Sequence, residues 1–181
     1  LHGDLKEEHP KKDKARIIIE EVDRLERYLR DTLTFMRHNK PVFRLTDPNA
    51  LVQETIRMIC SEIQESSVET EINLMDNPPQ IEVDPEQIRQ VLLNIIRNAL
   101  EAMPDGGKLT TSSNLNNSYF TISIADTGIG IEKKHVSKLF TAFYTTKSTG
   151  SGLGLAISSQ IVKNHGGKIG FSSKKGEGTV F

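Results

Sequence analysis

Asn94-Ile95-Ile96-Arg97-Asn98-Ala99-Leu100-Glu101-Ala102 is the stretch on which the fold of this chain turns. Its apolar residues recur with helical spacing, from Ile88, Val91 and Leu92 through Ile95, Ile96 and Leu100, behind an Asp84-Pro85 pair that reads as an N-cap with proline in the first turn. The spacing predicts a helix running to about Met103. Asn94 and Asn98 stand at i and i+4, so their side chains share one face and interrupt the stripe of Leu93, Ile95 and Ile96. A buried amide needs hydrogen-bonding partners. Two readings follow: a pair of core or capping asparagines, or carboxamide oxygens offered to Mg2+, an oxygen-seeking ion that arrives with phosphates. Glu101, near the same face, either takes a metal-bound water, pairs with a lysine that reaches phosphate, or is an exposed helix charge.

Two later stretches bear on that choice. Phe120, Ile122 and Ile124 alternate as a strand over Tyr119–Ala125, and Asp126 ends it ahead of Gly128 and Gly130. A carboxylate there can accept from the exocyclic amine that distinguishes adenine, while glycines let backbone approach a flat ring. A plain Asp-initiated turn has the same spelling. Farther on, Gly150, Gly152 and Gly154 open a helix predicted from Leu153 to Asn164, and N–H groups at such a start suit phosphate. No G-K-[ST] follows, so this is not a P-loop, and the strand-turn-helix setting of a dinucleotide fingerprint is missing. Thr145, Thr146, Lys147 and Ser148 precede the glycines. Lys147 is the candidate phosphate contact, against a solvated lysine. Phe140, Phe143 and Tyr144 suit the anchors of a lid.

The remaining pattern places these stretches. Strands are expected at Val42–Leu45, across Val68, Thr70, Ile72 and Leu74, and at Lys108–Leu115, Lys168–Ser173 and Thr179–Phe181. Asp47-Pro48 caps a helix carrying Leu51, Ile56, Ile59 and Ile63, and a short helix is expected near Lys134–Phe140. Helices interposed among strands without a βαβ repeat indicate an α+β two-layer sandwich. Residues 1–40 differ. Ile18, Val22, Leu25, Leu29 and Met36, with Thr32 in register, form a heptad-like stripe opposite a charged face; it can pack on the chain's own domain, but its length and the break after it favour pairing with a preceding helix and a second subunit. Asn39-Lys40-Pro41 ends that helix. The expected units are therefore 1–40 and 41–181.

A charged fraction of 26% and a hydrophobic fraction of 36% describe a globular chain, and a net charge of -1 gives no basis for a nucleic-acid surface. Cys60, the single cysteine, excludes an internal disulfide and reads as buried filler. The five histidines form no triad or metal pair and are expected at the surface. No apolar run approaches the roughly 20 residues of a membrane span, and no signal peptide opens the chain. Beginning mid-pattern at Leu1 and stopping at Phe181 inside a strand-like run, it reads as a segment of a longer cytoplasmic protein whose membrane contact, if any, is made by other segments.

Taken in order, the boxes Asn94–Asn98, Asp126–Gly130, Phe140–Tyr144 with Thr145-Thr146-Lys147, Gly150–Leu155 and a last G-E-G-T-V-F at Gly176–Phe181 resemble the catalytic and ATP-binding domain of sensor histidine kinases. The wider class includes gyrase, a heat-shock chaperone and a mismatch-repair ATPase, and the wording N-A-L-E-A-M and F-Y-T-T-K is most similar to nitrogen-regulation and sporulation kinases. The resemblance covers about Val42–Phe181. It implies that Asn98 holds Mg2+ and that Asp126 reads the adenine amine. Gly128, Gly130, Gly150, Ser151, Gly152, Leu153 and Gly154 would line the nucleotide, with Ile131 and Thr179 bordering adenine. Glu101, Thr146 and Lys147 join the nucleotide set, and Asn94 and Lys147 are the expected catalytic residues. Residues 12–38 resemble the second helix of a dimerisation and phosphoacceptor hairpin, which builds a four-helix bundle.

Two departures stand out. No histidine here has the acidic and N-P-L-like neighbours of the family's acceptor, which places the acceptor upstream of Leu1. Glu101-Ala102 and Thr145 replace a Lys-Tyr pair and an Arg found in many relatives, so phosphate neutralisation falls to Lys147 or Arg97. The expected activity is ATP-dependent protein-histidine phosphorylation, with transfer onward to an aspartate of a response-regulator receiver domain; this segment alone is not expected to autophosphorylate. An ATP-hydrolysing clamp and a non-catalytic nucleotide-binding module are the alternatives. A neutral carboxamide at Asn94, where clamp relatives carry glutamate, is a poor base for water.

Overall fold

Both Asp-Pro pairs start helices. The computed structural model describes residues 18, 19, 22, 26, 29, 32, 40–116, 119–147 and 150–181. In chain order they form β1 (Arg44–Thr46), α1 (Pro48–Met58), α2 (Cys60–Glu65), β2 (Val68–Asn73), β3 (Ile81–Val83), α3 (Pro85–Glu101), β4 (Gly107–Asn116), β5 (Tyr119–Asp126), α4 (Lys133–Val136), α5 (Gly154–Asn164), β6 (Ser172–Lys174) and β7 (Gly178–Val180). Asp47 Oδ1 accepts from the N–H groups of Asn49 (2.8 Å) and Ala50 (3.2 Å). Asp84 Oδ1 does the same for Glu86 (3.0 Å) and Gln87 (3.2 Å). Each cap satisfies donors that the first helical turn leaves unpaired.

The main sheet has the order β2-β4-β5-β7-β6, with β2 and β4 parallel and the other neighbours antiparallel. Helices α1, α2, α3 and α5 cover one face through a core that includes Leu51, Val52, Ile63, Ile95, Ile96, Leu109, Ile124, Ile157 and Ile161. The expected α+β sandwich is thus the observed one. Period-2 alternation decides which β5 residues meet the helices. Ile124 is buried, and two residues on the same alternation carries Asp126 to the helix side at the strand's end, opposite Leu109 on β4 and Thr179 on β7.

Several elements depart from the sequence reading. The single helix expected over Leu51–Ile63 breaks at Ile59, whose φ of -114° and ψ of 17° leave the helical region. Ile59 and Ile63 still reach the core, but Cys60 lies around the helix from both and is exposed, not buried. The strand expected over Lys168–Ser173 is displaced to Ser172–Lys174, because its pairing is fixed by β7 (Ser173 opposite Thr179) rather than by its own alternation. The helix near Lys134–Phe140 shortens to Lys133–Val136. Of the heptad-like stripe, Ile18, Val22 and Leu29 are helical and exposed, and Thr32 is helical; Leu25 and Met36 lie outside the described residues.

Two histidines expected at the surface are half-buried and bonded instead. His165 Nε2 accepts the Asp84 N–H (3.0 Å) and Nδ1 donates to the Ile161 carbonyl (2.8 Å), so a neutral ring joins the end of α5 to the start of α3. His135 Nδ1 pairs with the Tyr144 hydroxyl at 2.5 Å. Asp84 completes the junction, because its Oδ2 accepts the Val42 N–H (2.9 Å) and so ties the entry to β1. Burial alone would raise the Asp84 carboxyl, but N–H donation from Val42, Gln87 and Glu86 outweighs it and holds the group below its ordinary value. A depressed carboxylate stabilises the fold above its unfolded pKa and loses that contribution as pH falls through the folded one. Asp84→Ala is therefore expected to cost about 2–3 kcal/mol in urea unfolding at neutral pH. The gap from wild type should close as pH drops below 3.8. An unchanged urea midpoint at pH 7 would rule out this role.

Candidate functional site

Three distant stretches meet along the C-terminal half of α3. Asn94 and Asn98 flank its buried stripe, both half-buried, with Glu101 exposed one turn on. From the loop before α5, the Lys147 ammonium reaches back to Asn98 Oδ1 (3.0 Å) and forms an ion pair with the Glu101 carboxylate. Glu101 is thus an exposed helix charge that pairs with a lysine. Gly154, the first residue of α5, packs on Asn94 so tightly that a methyl group there would lie 2.2 Å from Asn94 Oδ1. Asn94 Nδ2 donates to Ser158 Oγ (3.0 Å), one turn farther along α5.

The other end of the site lies beyond the last turn of α3. Gly128 sits against Ala102, where a methyl group would come within 2.4 Å of the Ala102 carbonyl oxygen, and the Ile129 N–H donates to that same oxygen (3.0 Å). This seats the Asp126–Gly130 turn on the end of the helix that carries the asparagines. Asp126 Oδ1 accepts from Gly128 N–H (2.9 Å) and Thr179 N–H (3.3 Å). Burial pushes the Asp126 carboxyl above its ordinary value despite those two donors and the attraction of Lys147. Thr179 is buried, and its hydroxyl meets Ser173 Oγ (2.9 Å), which also accepts the Ile131 N–H (2.8 Å). Asp126, Gly128, Ile131 and Thr179 therefore form one connected wall. Gly130 closes it at a φ of +65° against the Lys174 carbonyl.

The glycine loop is packed rather than open. Gly152 adopts a φ of +68° with Phe143 backbone behind it, and Gly150 lies against the Thr145 hydroxyl. Ser151 Oγ accepts the Leu153 N–H (3.3 Å). Leu153 is fully buried and belongs to the core. Thr146 is exposed, and Ser148 lies outside the described residues. Arg97, the alternative phosphate cation, is committed elsewhere: its guanidinium forks onto Glu62 at 3.0 and 2.8 Å. Ser158 and Ser173 were not singled out from sequence. The signal for Ser158 was its position, i+4 from Gly154 on a helix face turned toward α3.

Among the described residues, no group of three His, Cys, Asp or Glu could hold a metal ion, so a cation at Asn98 would need further oxygens from its own ligand. No helix among them is long and apolar enough to cross a membrane.

Residues 83–181, more than half of the chain, match the family described as histidine kinase-, DNA gyrase B-, and HSP90-like ATPase. The chain belongs to that ATPase family. Its relatives include sporulation kinase E of Bacillus subtilis strain 168, 34% identical over 91% of this chain and 22% of that protein. The sensor histidine kinase ZraS of Escherichia coli K12 is 30% identical over 92% of this chain and 36% of its own length. The chain thus spans well under half of these relatives. Among solved structures, full-length ShkA in complex with AMPPNP superposes with a TM-score of 0.82 at 25% identity, covering 96% of this chain and 38% of that one. Histidine kinase ThkA in complex with the response regulator protein TrrA superposes at 0.81 with 26% identity, covering 98% and 51%. As a family member with histidine-kinase relatives, the chain fits the resemblance drawn from its motif boxes.

Proposed function

We propose that this member of the ATPase family is the ATP-binding kinase core of a two-component protein-histidine kinase. The observation that carries the reading is the reach of Lys147 to Asn98 and Glu101 on α3, with the Asp126–Gly130 turn seated on the end of the same helix. A carboxamide, a cation and a buried carboxylate would then address one ligand. In this reading the Asp126 carboxylate accepts from the adenine amine, with Ile131 and Thr179 bordering the ring. Gly128 and Gly130 let backbone approach it, and the backbone of Gly150–Gly154 with Thr146 lines the phosphates. Asn98, helped by Glu101, holds Mg2+, which supplies charge neutralisation at the phosphates. Lys147 neutralises the γ-phosphate and Asn94 orients the acceptor. An imidazole nitrogen attacks phosphorus in line, the N–P bond forms, the bond to the β-phosphate oxygen breaks, and ADP leaves.

Residues 1–40 supply part of the dimerising helix pair and 41–181 the catalytic unit. The acceptor histidine lies on another helix of the full-length protein. The phosphoryl group passes to an aspartate of a response regulator, the kind of partner named for ThkA. The reaction is cytoplasmic. A neutral Asn94 favours transfer to histidine over water activation.

Incubating the full-length protein with γ-labelled ATP and Mg2+ tests this. Label stable in base and labile in acid is expected on a histidine. Free phosphate with no labelled protein would replace the reading with a hydrolysing clamp, and nucleotide binding with neither product would leave a binding module.

A further inference from the structure

Helix α5 presents two features one turn apart toward Asn94: the bare backbone of Gly154 and the hydroxyl of Ser158. Ser158 is 1% exposed, and its Oγ takes the Asn94 Nδ2 hydrogen at 3.0 Å. On the other side, Asn94 Oδ1 occupies the space that a methyl group at position 154 would fill. The side-chain amide is thus held at both ends, its nitrogen by a hydroxyl and its oxygen in a glycine recess. We propose that Ser158 is a positioning residue for phosphoryl transfer: it fixes which way the Asn94 carboxamide points. The inference rests on the kinase reading and deepens it.

The physics is that of a planar amide whose two ends differ in hydrogen-bonding sense. The terminal torsion of asparagine is broad, so a side chain without a partner samples a wide range of angles. A reacting group then meets the Asn94 amide in many orientations of its plane. Ser158, itself buried, gives the amide one fixed hydrogen-bonding partner and so narrows that range. Gly154 and Ser158 lie at i and i+4, so both address Asn94 from one face of α5, and that face is set by the buried Leu153, Ile157 and Ile161 of the core.

Single-turnover phosphorylation in the full-length protein, with Ser158→Ala placed in the wild-type and Asn94→Ala backgrounds, tests the assignment. In the wild-type background the rate constant is expected to fall about tenfold, the scale of one hydrogen bond. KM for ATP should stay within about twofold, because the amide is oriented rather than removed. In the Asn94→Ala background the same substitution should have no further effect. A Ser158 that only supports packing would slow both backgrounds by the same factor, or neither, and either result overturns the proposal. Wild-type protein that neither binds ATP nor becomes labelled would instead remove the kinase reading beneath it.

Discussion

Asp126→Asn is expected to weaken ATP binding about 100-fold while making the ligand-free protein harder to unfold. Both effects come from one buried carboxylate. Asn can keep an oxygen toward the N–H groups of Gly128 and Thr179, which reach Oδ1 at 2.9 and 3.3 Å. In the proposed site its NH2 group would face the adenine amine, donor against donor. The stability gain has the opposite origin. Burial raises the Asp126 carboxyl, so the folded state disfavours the ionised form. That penalty is fully present above the raised folded pKa and fades as pH falls toward the unfolded value of 3.8. The thermal midpoint of Asp126→Asn should therefore exceed that of wild type at pH 7, and the two should converge in acid. Wild-type ATP affinity should decline over the same acid range as Asp126 takes up a proton. Calorimetric titration with ATP decides the first part: equal affinity in the two proteins would remove Asp126 from the site.

Gly178→Ala should cost about 3–4 kcal/mol of stability, and Gly176→Ala only about 1 kcal/mol, although both glycines have a left-handed φ. At Gly178 the φ is +101° and an added methyl group would lie 1.9 Å from the Asp126 carbonyl oxygen. That oxygen belongs to the backbone where β5 meets β7, so relief requires prising the two strands apart. At Gly176 the φ is +79° and nothing lies within 4 Å of the added atom, which leaves only the backbone preference to be overcome. Urea unfolding of the two variants measures the difference. Because Thr179 N–H is the next donor along the strand, Gly178→Ala should also impair ATP binding. Equal destabilisation of the two variants would show that the β5–β7 contact is looser than its geometry implies.

What could be read without coordinates was local. The Asp-Pro caps at Asp47 and Asp84 were legible because an N-cap is written within four residues. The inward placement of Asp126 was implicit in the alternation of Phe120, Ile122 and Ile124. Asn94 and Asn98 shared a face by helix geometry alone. Partnerships set by the folded chain were not legible. His165 bonds to Asp84 across 81 residues and Asn94 to Ser158 across 64, and no sequence periodicity encodes either. The strand near Ser172 was misplaced for the same reason, since its register belongs to β7. Arg97 offered a cation on the right helix, but Glu62, 35 residues earlier, claims it. The break at Ile59 carries no glycine or proline to announce it, so an unbroken apolar stripe concealed it.

The shared stem of the cleft has a dimensional consequence. From Asn94, beside the start of α5, to Ala102, under the Asp126–Gly130 turn, α3 advances by eight residues, about 12 Å along its axis. Both ends of the cleft are bolted to that one rod, so its length works as a gauge. In the proposed site a nucleoside alone would engage one end, and only a molecule extended by a chain of phosphates would measure the full distance.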